Sequence, residues 1–185
     1  MKLNLGCGNN KHEGYVNVDM FPECNPDVVF DVETVPWPWE TSSATAVLFN
    51  HSLEHMGASS KVFLAIMKEL YRVCANDCVI EINVPHPRHD QFINDPTHVR
   101  PITPALLTLF SKRQNEHWKR VRAANSPLAL YLGVDFELTG VTVALDPVYQ
   151  KLFDEKKITR EELNTAATEK NNVVAEYRIT IKAVK

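Results

Sequence analysis

Three short segments near the amino end carry groups suited to an adenosine-like ligand. Leu5-Gly6-Cys7-Gly8 sets two glycines at the end of a short apolar run. Without a Cβ a ligand can approach the backbone closely, and exposed N–H groups there can meet an anionic group. Asp19 closes a second such run, where a carboxylate can accept both hydrogen bonds of a ribose diol. Asp31 follows a third run and can accept from an adenine amino group, while the Val32 N–H donates to a ring nitrogen. The glycine pair is not a phosphate-binding P-loop, because no Lys-Ser/Thr follows it. Nor is it a dinucleotide fingerprint, because Lys11 stands where the third glycine belongs.

A fourth segment, Asn50-His51-Ser52-Leu53-Glu54-His55, puts two imidazoles and a carboxylate together. A fifth, Pro85 to Pro104, is polar and rich in histidine and proline. Histidine suits proton transfer near neutral pH, so His98 is the preferred general base and His51 the second candidate. Asp95, His98 and Arg100 are the candidate acceptor contacts, the alternative being that they satisfy the backbone of a proline-stiffened loop. His55 is read first as a packed residue at a helix start. His86, His89, Asp90, Asp95 and His98 offer the mixed donors that zinc, iron or manganese accept. Their spacing fits no specific metal motif, and no metal is assigned.

Something must bring these segments together. Lys2 to Leu5, Tyr15 to Asp19, Asp27 to Val32, Thr45 to Asn50 and Cys78 to Val84 read as strands. The last is mostly apolar, as a strand covered on both faces should be. A helix capped by Ser59 or Ser60 presents Val62, Leu64, Ile66, Met67, Leu70, Tyr71 and Val73 at helical spacing, ending at Asn76-Asp77. Thr103 to Arg113 reads as another helix, and Thr159 opens one with a capping-box pattern. Phe136 to Leu145 and Val173 to Val184 are two late strands flanking the Thr159 helix; they lack a clear right-handed crossover pattern and are free to pair antiparallel at one edge. The alternation predicts an α/β layered fold with a largely parallel sheet. In such a sheet consecutive strand ends lie side by side above the ligand crevice.

Composition sets the frame. The chain has 185 residues, 44% apolar and 23% charged, as one ordinary globular domain should. The expected division is residues 1–85 for cofactor binding, 85–130 for the acceptor loop and helix, and 134–185 for the closing strands. A formal charge of −3 argues against bulk nucleic-acid binding. The basic run Ser111 to Arg122 keeps a local polymer contact open, although a solvated helix face explains it better. No run is long enough to cross a bilayer, and no secretory signal is visible, so a cytoplasmic location is expected. The four cysteines form no C-x-x-C pair and are read as reduced thiols.

The segments LNLGCG, NVDM, FDVETVPWPW and HSLEHM resemble the first four motifs of small class I S-adenosylmethionine-dependent methyltransferases. The late pair FELTGVTVAL and EYRITIKAVK is similar to that family's closing antiparallel hairpin. The resemblance implies a Rossmann-like, doubly wound, mostly parallel seven-stranded sheet with an antiparallel closing strand. It implies S-adenosylmethionine as cofactor. Leu5, Gly6, Cys7 and Gly8 would wrap the methionine part, Asp19 would hold the ribose, Asp31 and Val32 the adenine, and Met20 would be a further cofactor contact. Asn50, His51 and Ser52 would line the floor near the sulfonium. The acceptor would be a small molecule or a polymer end; the alternative is a regulatory or assembly protein that binds the cofactor without turnover. Trp37 and Trp39 either wall the adenine or pack at the edge. Three features depart from the family. Asn4 stands where many members carry an acidic residue, only ten residues separate Gly8 from Asp19, and no helix precedes the first strand. They predict a shallow site, closed by the Pro85–Pro104 loop or by a second subunit in a homodimer.

Overall fold

The computed structural model describes residues 1–185. Seven strands build one sheet: β1 (Lys2–Leu5), β2 (Val16–Asp19), β3 (Val28–Val29), β4 (Ala44–Asn50), β5 (Cys74–Pro85), β6 (Phe136–Leu145) and β7 (Val174–Ala183). Their order is β3-β2-β1-β4-β5-β7-β6. β1 to β5 are mutually parallel, and β7 alone runs antiparallel, inserted between β5 and β6. This is the expected seven-stranded, mostly parallel sheet with an antiparallel closing strand. The chain leaves β1 toward β2 on one side and returns to β4 on the other. The β1/β4 border is therefore the point where the winding reverses, which is where open α/β sheets bind ligands.

Helix α1 (Ser60–Val73) forms where predicted. The Ser59 side chain accepts from the Val62 N–H, and Phe63, Ile66, Met67, Leu70 and Val73 are buried on one stripe. The helix ends three residues early, because Cys74 turns extended and pairs with Ala44. The predicted Thr103–Arg113 helix is two helices, α3 (Pro104–Thr108) and α4 (Lys112–Val121), with the one-turn α2 (Asp90–Ile93) before them. The break falls at Leu109 to Ser111. There Ser111 caps the new helix through the Gln114 N–H, and the Phe110 carbonyl accepts from Phe136 N–H on β6. A short α5 (Leu128–Leu132) precedes β6, and α6 (Pro147–Asp154) and α7 (Arg160–Glu169) lie between β6 and β7. The capping box at Thr159 and Glu162 is present. β3 is shorter than predicted, since the Asp31 carbonyl accepts from the Thr34 N–H in a turn.

The main core lies on one face of the sheet. Ile80, Ile82, Ile179 and Ile181 meet Phe63, Met67, Leu70, Leu107 and Phe110 from the helices. The opposite face is different. Glu81 is exposed, Val79 is 37% exposed, and cross-strand pairs there are Glu81 with Thr180 and Asn83 with Arg178. β5 is thus covered on one face only, against the reading of its apolar run. The alternation of Ile80 and Ile82 with Glu81 and Asn83 marks a half-buried strand. No helix crosses between β1 and β2 or between β3 and β4. Asn4 and Asn17, both buried, fill part of that side: the Asn4 amide donates to the Asn10 carbonyl and to Asn17 Oδ1. α6 and α7 bury Leu163 and Ala166 in a small satellite cluster with Val173. No helix is long and apolar enough to cross a membrane.

Candidate functional site

A cavity of about 650 Å³ opens at the carboxyl ends of β1, β2, β3 and β4. That volume is typical of small-molecule sites. Gly6 and Gly8, Asp19 and Met20, Asp31 and Val32, and His51 and Ser52 all line it. The sheet therefore gathers the four sequence segments around one space.

The glycine turn is made by local hydrogen bonding. Gly6 N–H and Cys7 N–H both donate to the Val18 carbonyl at 2.9 Å, so the chain folds back over the end of β2. Gly6 stands at φ +70°, and a Cβ there would lie 2.5 Å from Ser52 Cβ. Ser52 is fixed in turn by its hydroxyl, which donates to the Leu5 carbonyl at 2.7 Å. Leu5 and Cys7 are themselves buried and hold the floor from beneath. Burial, then the Asp19 charge, pushes the Cys7 thiol up, so it is an inert packing group.

Asp19 is oriented before any ligand arrives. Its Oδ2 accepts from Gly8 N–H at 2.7 Å and its Oδ1 from Phe21 N–H at 2.9 Å. Each oxygen keeps a free lone pair. Asp19 is therefore structural as well as ligand-facing. Asp19→Ala is expected to lower stability by ~1–3 kcal/mol, because two amides lose their acceptor. Urea unfolding checks this; an unchanged midpoint would show that the amides find water instead. Asp31 is freer, with Oδ1 accepting only from Glu33 N–H at 2.9 Å.

Several residues in the cavity wall had no role assigned in the sequence. Phe30 stands beside Asp31, backed edge-on by Trp39 at 5.8 Å. Trp37 is buried, with its indole N–H donating to the Val32 carbonyl, so the tryptophans pack behind the wall. Glu33 reaches across, its Oε1 accepting from Gly57 N–H at 2.7 Å. Met56 lines the floor, and Thr97 brings the Pro85–Pro104 loop into the wall. That loop is docked by Val99 and Arg100 N–H groups, which both donate to the Glu54 carbonyl.

The two base candidates part company. His51 lines the cavity at φ +51°, a backbone state that costs a non-glycine residue ~1 kcal/mol or more. Its Nε2 meets Glu176 Oε2 at 2.7 Å. His98 does not line the cavity. Its side chain is 8% exposed, stacked on Phe92 and edge-on to His55 at 4.5 Å. His55, read as a packing residue, does line it, with Nδ1 2.9 Å from Thr97 Oγ1. Burial, then nearby His98, lowers the His55 pKa. Arg100 faces elsewhere: it donates to the Gly57 carbonyl at 2.7 Å and covers the Phe63 ring at 4.4 Å. Asp95 accepts from the Thr97 backbone and hydroxyl, which hold its carboxyl below the usual range. Asn50 points into a second, polar concavity of about 410 Å³ with Asn83 and Arg178. The histidines at 86 and 89 lie apart from His98, with His86 against Tyr177 and His89 on Asp146.

Glu54 is the least expected feature. Its side chain is fully buried, and neither carboxylate oxygen has a hydrogen-bond partner. Burial pushes its pKa up to about 7 against the pull of its own backbone N–H, which lies outside hydrogen-bond geometry, and the Asp95 and Glu176 charges add smaller upward effects. A carboxylate between Leu53 and His55 in an apolar turn was the available signal.

This sheet order, with its reversed strand between β5 and β6, is that of the class I methyltransferase fold. An S-adenosylmethionine-dependent methyltransferase from Archaeoglobus fulgidus superposes with a TM-score of 0.64 at 19% identity, covering 98% of this chain and 85% of that one. One from Methanosarcina mazei gives 0.57 at 13%, covering 99% and 92%. The 1,6-didemethyltoxoflavin-N1-methyltransferase of Burkholderia thailandensis, solved with S-adenosylhomocysteine, gives 0.54 at 10%, covering 100% and 71%. No protein-family model and no curated protein matches the chain. At these identities the likeness establishes the fold alone.

Proposed function

We propose that the strand-end cavity binds S-adenosylmethionine and that the protein transfers its methyl group to an acceptor entering beside His51 and the Pro85–Pro104 loop. The observation that carries this is the meeting of Gly6, Gly8, Asp19 and Asp31 around one cavity. The donor set fits an adenosyl ligand. Asp19 offers one free lone pair on each oxygen to the ribose diol, and Asp31 with the Val32 N–H matches the adenine edge. Phe30 supplies an apolar wall. The Asn4 amide N–H groups are committed to Asn10 and Asn17, while its Oδ1 is buried without a partner.

When bound, the cofactor supplies a methyl group already activated on a sulfonium. The residues then need to align the acceptor and exclude water. A base is required only where the acceptor loses a proton. His51 and His55 are the imidazoles presented to the cavity, and Glu176 fixes the His51 ring. His98 does not line the cavity; it lies edge-on to His55 at 4.5 Å.

Calorimetry with S-adenosylhomocysteine tests the reading. Asp31→Ala should weaken binding by ~1–3 kcal/mol while leaving the unfolding midpoint in place. Wild-type protein giving no heat with the ligand, or an Asp31→Ala variant of equal affinity, overturns the assignment. Binding without turnover on any acceptor would return the non-catalytic alternative.

A further inference from the structure

We propose that Glu54, His55 and His98 form a site for one divalent transition-metal ion, of the manganese, iron, cobalt or zinc type, at the edge of the strand-end cavity. One donor atom from each of the three residues lies within 4.8 Å of the others. Donors around one ion at roughly 2.0–2.2 Å stand up to about 4.4 Å apart, so small side-chain rotations close the set. Two imidazoles with one carboxylate suit these metals and not magnesium or calcium, which favour oxygen donors.

The hydrogen bonds around the cluster fix which atoms are free. The Phe92 carbonyl can only accept, so His98 Nδ1, 2.9 Å away, carries the proton. His98 Nε2 is then a lone pair. The Thr97 hydroxyl donates to Asp95 Oδ1 at 2.6 Å, so toward His55 it can only accept. His55 Nδ1 therefore carries a proton too, and His55 Nε2 is a second lone pair. Such outer contacts to a carbonyl and a hydroxyl–carboxylate pair are the ones that orient metal-binding histidines. Glu54 adds two buried oxygens with no partner. His51 continues the pattern: its Nε2 donates to Glu176, leaving Nδ1 as an acceptor 3.7 Å from Glu54 Oε1. Apart from a proton on Glu54 itself, the cluster is rich in acceptors and offers no donor to answer them. A buried polar group without a partner is costly, and a cation answers all of these at once.

His51, His55 and Thr97 line the cavity, so an ion here borders the ligand space. Metal binding itself does not depend on the cofactor reading. Its consequence does: an ion beside the transferred methyl favours acceptors that present a hydroxyl, whose pKa it lowers.

The test uses chelator-treated full-length protein, titrated with Mn²⁺ followed by electron paramagnetic resonance and with Co²⁺ followed by visible absorption. One equivalent of tightly held ion is expected, with Mg²⁺ failing to compete. Glu54→Gln should weaken binding at least about tenfold, and Thr97→Val, which frees the His55 ring, about tenfold to a hundredfold. Far-ultraviolet circular dichroism confirms that each variant is folded. No saturable uptake by wild type, or equal uptake by Glu54→Gln, overturns the proposal. S-adenosylhomocysteine calorimetry on the same metal-free sample separates the two readings. Ligand heat without metal uptake sinks the metal site alone, and metal uptake without ligand heat sinks the cofactor assignment alone.

Discussion

Gly6→Ala is expected to cost about 2–5 kcal/mol of stability and to abolish binding of S-adenosylhomocysteine. Two effects add. An alanine at φ +70° carries ~1–2 kcal/mol of left-handed strain, and its Cβ overlaps Ser52 Cβ at 2.5 Å, which costs ~1–3 kcal/mol more. Met56 Cε at 3.2 Å can swing away, but Ser52 cannot, because its hydroxyl holds the Leu5 carbonyl and its backbone follows the strained His51. Relief would push the glycine turn off the Val18 carbonyl and move Gly8 away from Asp19. Urea unfolding and ligand calorimetry measure both losses. The Gly6→Ala, Ser52→Gly double variant should recover the overlap portion and keep the strain portion. A single variant as stable as wild type would mean that the turn is not packed against the fourth strand end.

The second large effect belongs to Glu54. In metal-free protein its carboxyl is pushed from the ordinary 4.5 to about 7 by burial. Between those values the folded state binds more protons than the unfolded one, so stability falls as pH rises through the window. The contribution is fully present below about 4.5 and gone above about 7. At ~1.4 kcal/mol per pH unit, about 3 kcal/mol is at stake. Glu54→Gln keeps the shape and removes the charge. It should unfold at nearly the same urea concentration as wild type at pH 5 and be more stable by up to about 3 kcal/mol at pH 8. Other carboxylates titrate in both proteins, so the difference between the two curves isolates Glu54. Adding Mn²⁺ at pH 8 should raise wild type more than Glu54→Gln. Parallel curves from pH 5 to 8 would show that the buried carboxylate already has a charge partner.

The four segments that meet at the strand-end cavity were legible in the sequence because each is local to a strand end. A strand that stops in glycines, and two that stop in aspartates, need only a parallel sheet to become neighbours. The repeated strands and the capped helix from Ser59 supplied that sheet. Leu5 and Cys7 were placed in the right segment but on its buried side, a distinction of alternate residues that depends on which face the core takes. Asn50 lines the neighbouring polar concavity for the same reason, since its side chain leaves the strand on the open face.

What sequence order could not reach was the acceptor side. His98 and Arg100 sit in a loop whose chemistry depends on what it docks against. Only the fold brings Glu54 to Thr97 and His98. The sequence alone determined the glycine turn and the two strand-end aspartates, because each is set by its own few neighbours. Tertiary structure decided the burial of Glu54, the tautomers of His55 and His98 and the open face of β5, because each follows from long-range contacts that take water away from some groups and leave it to others.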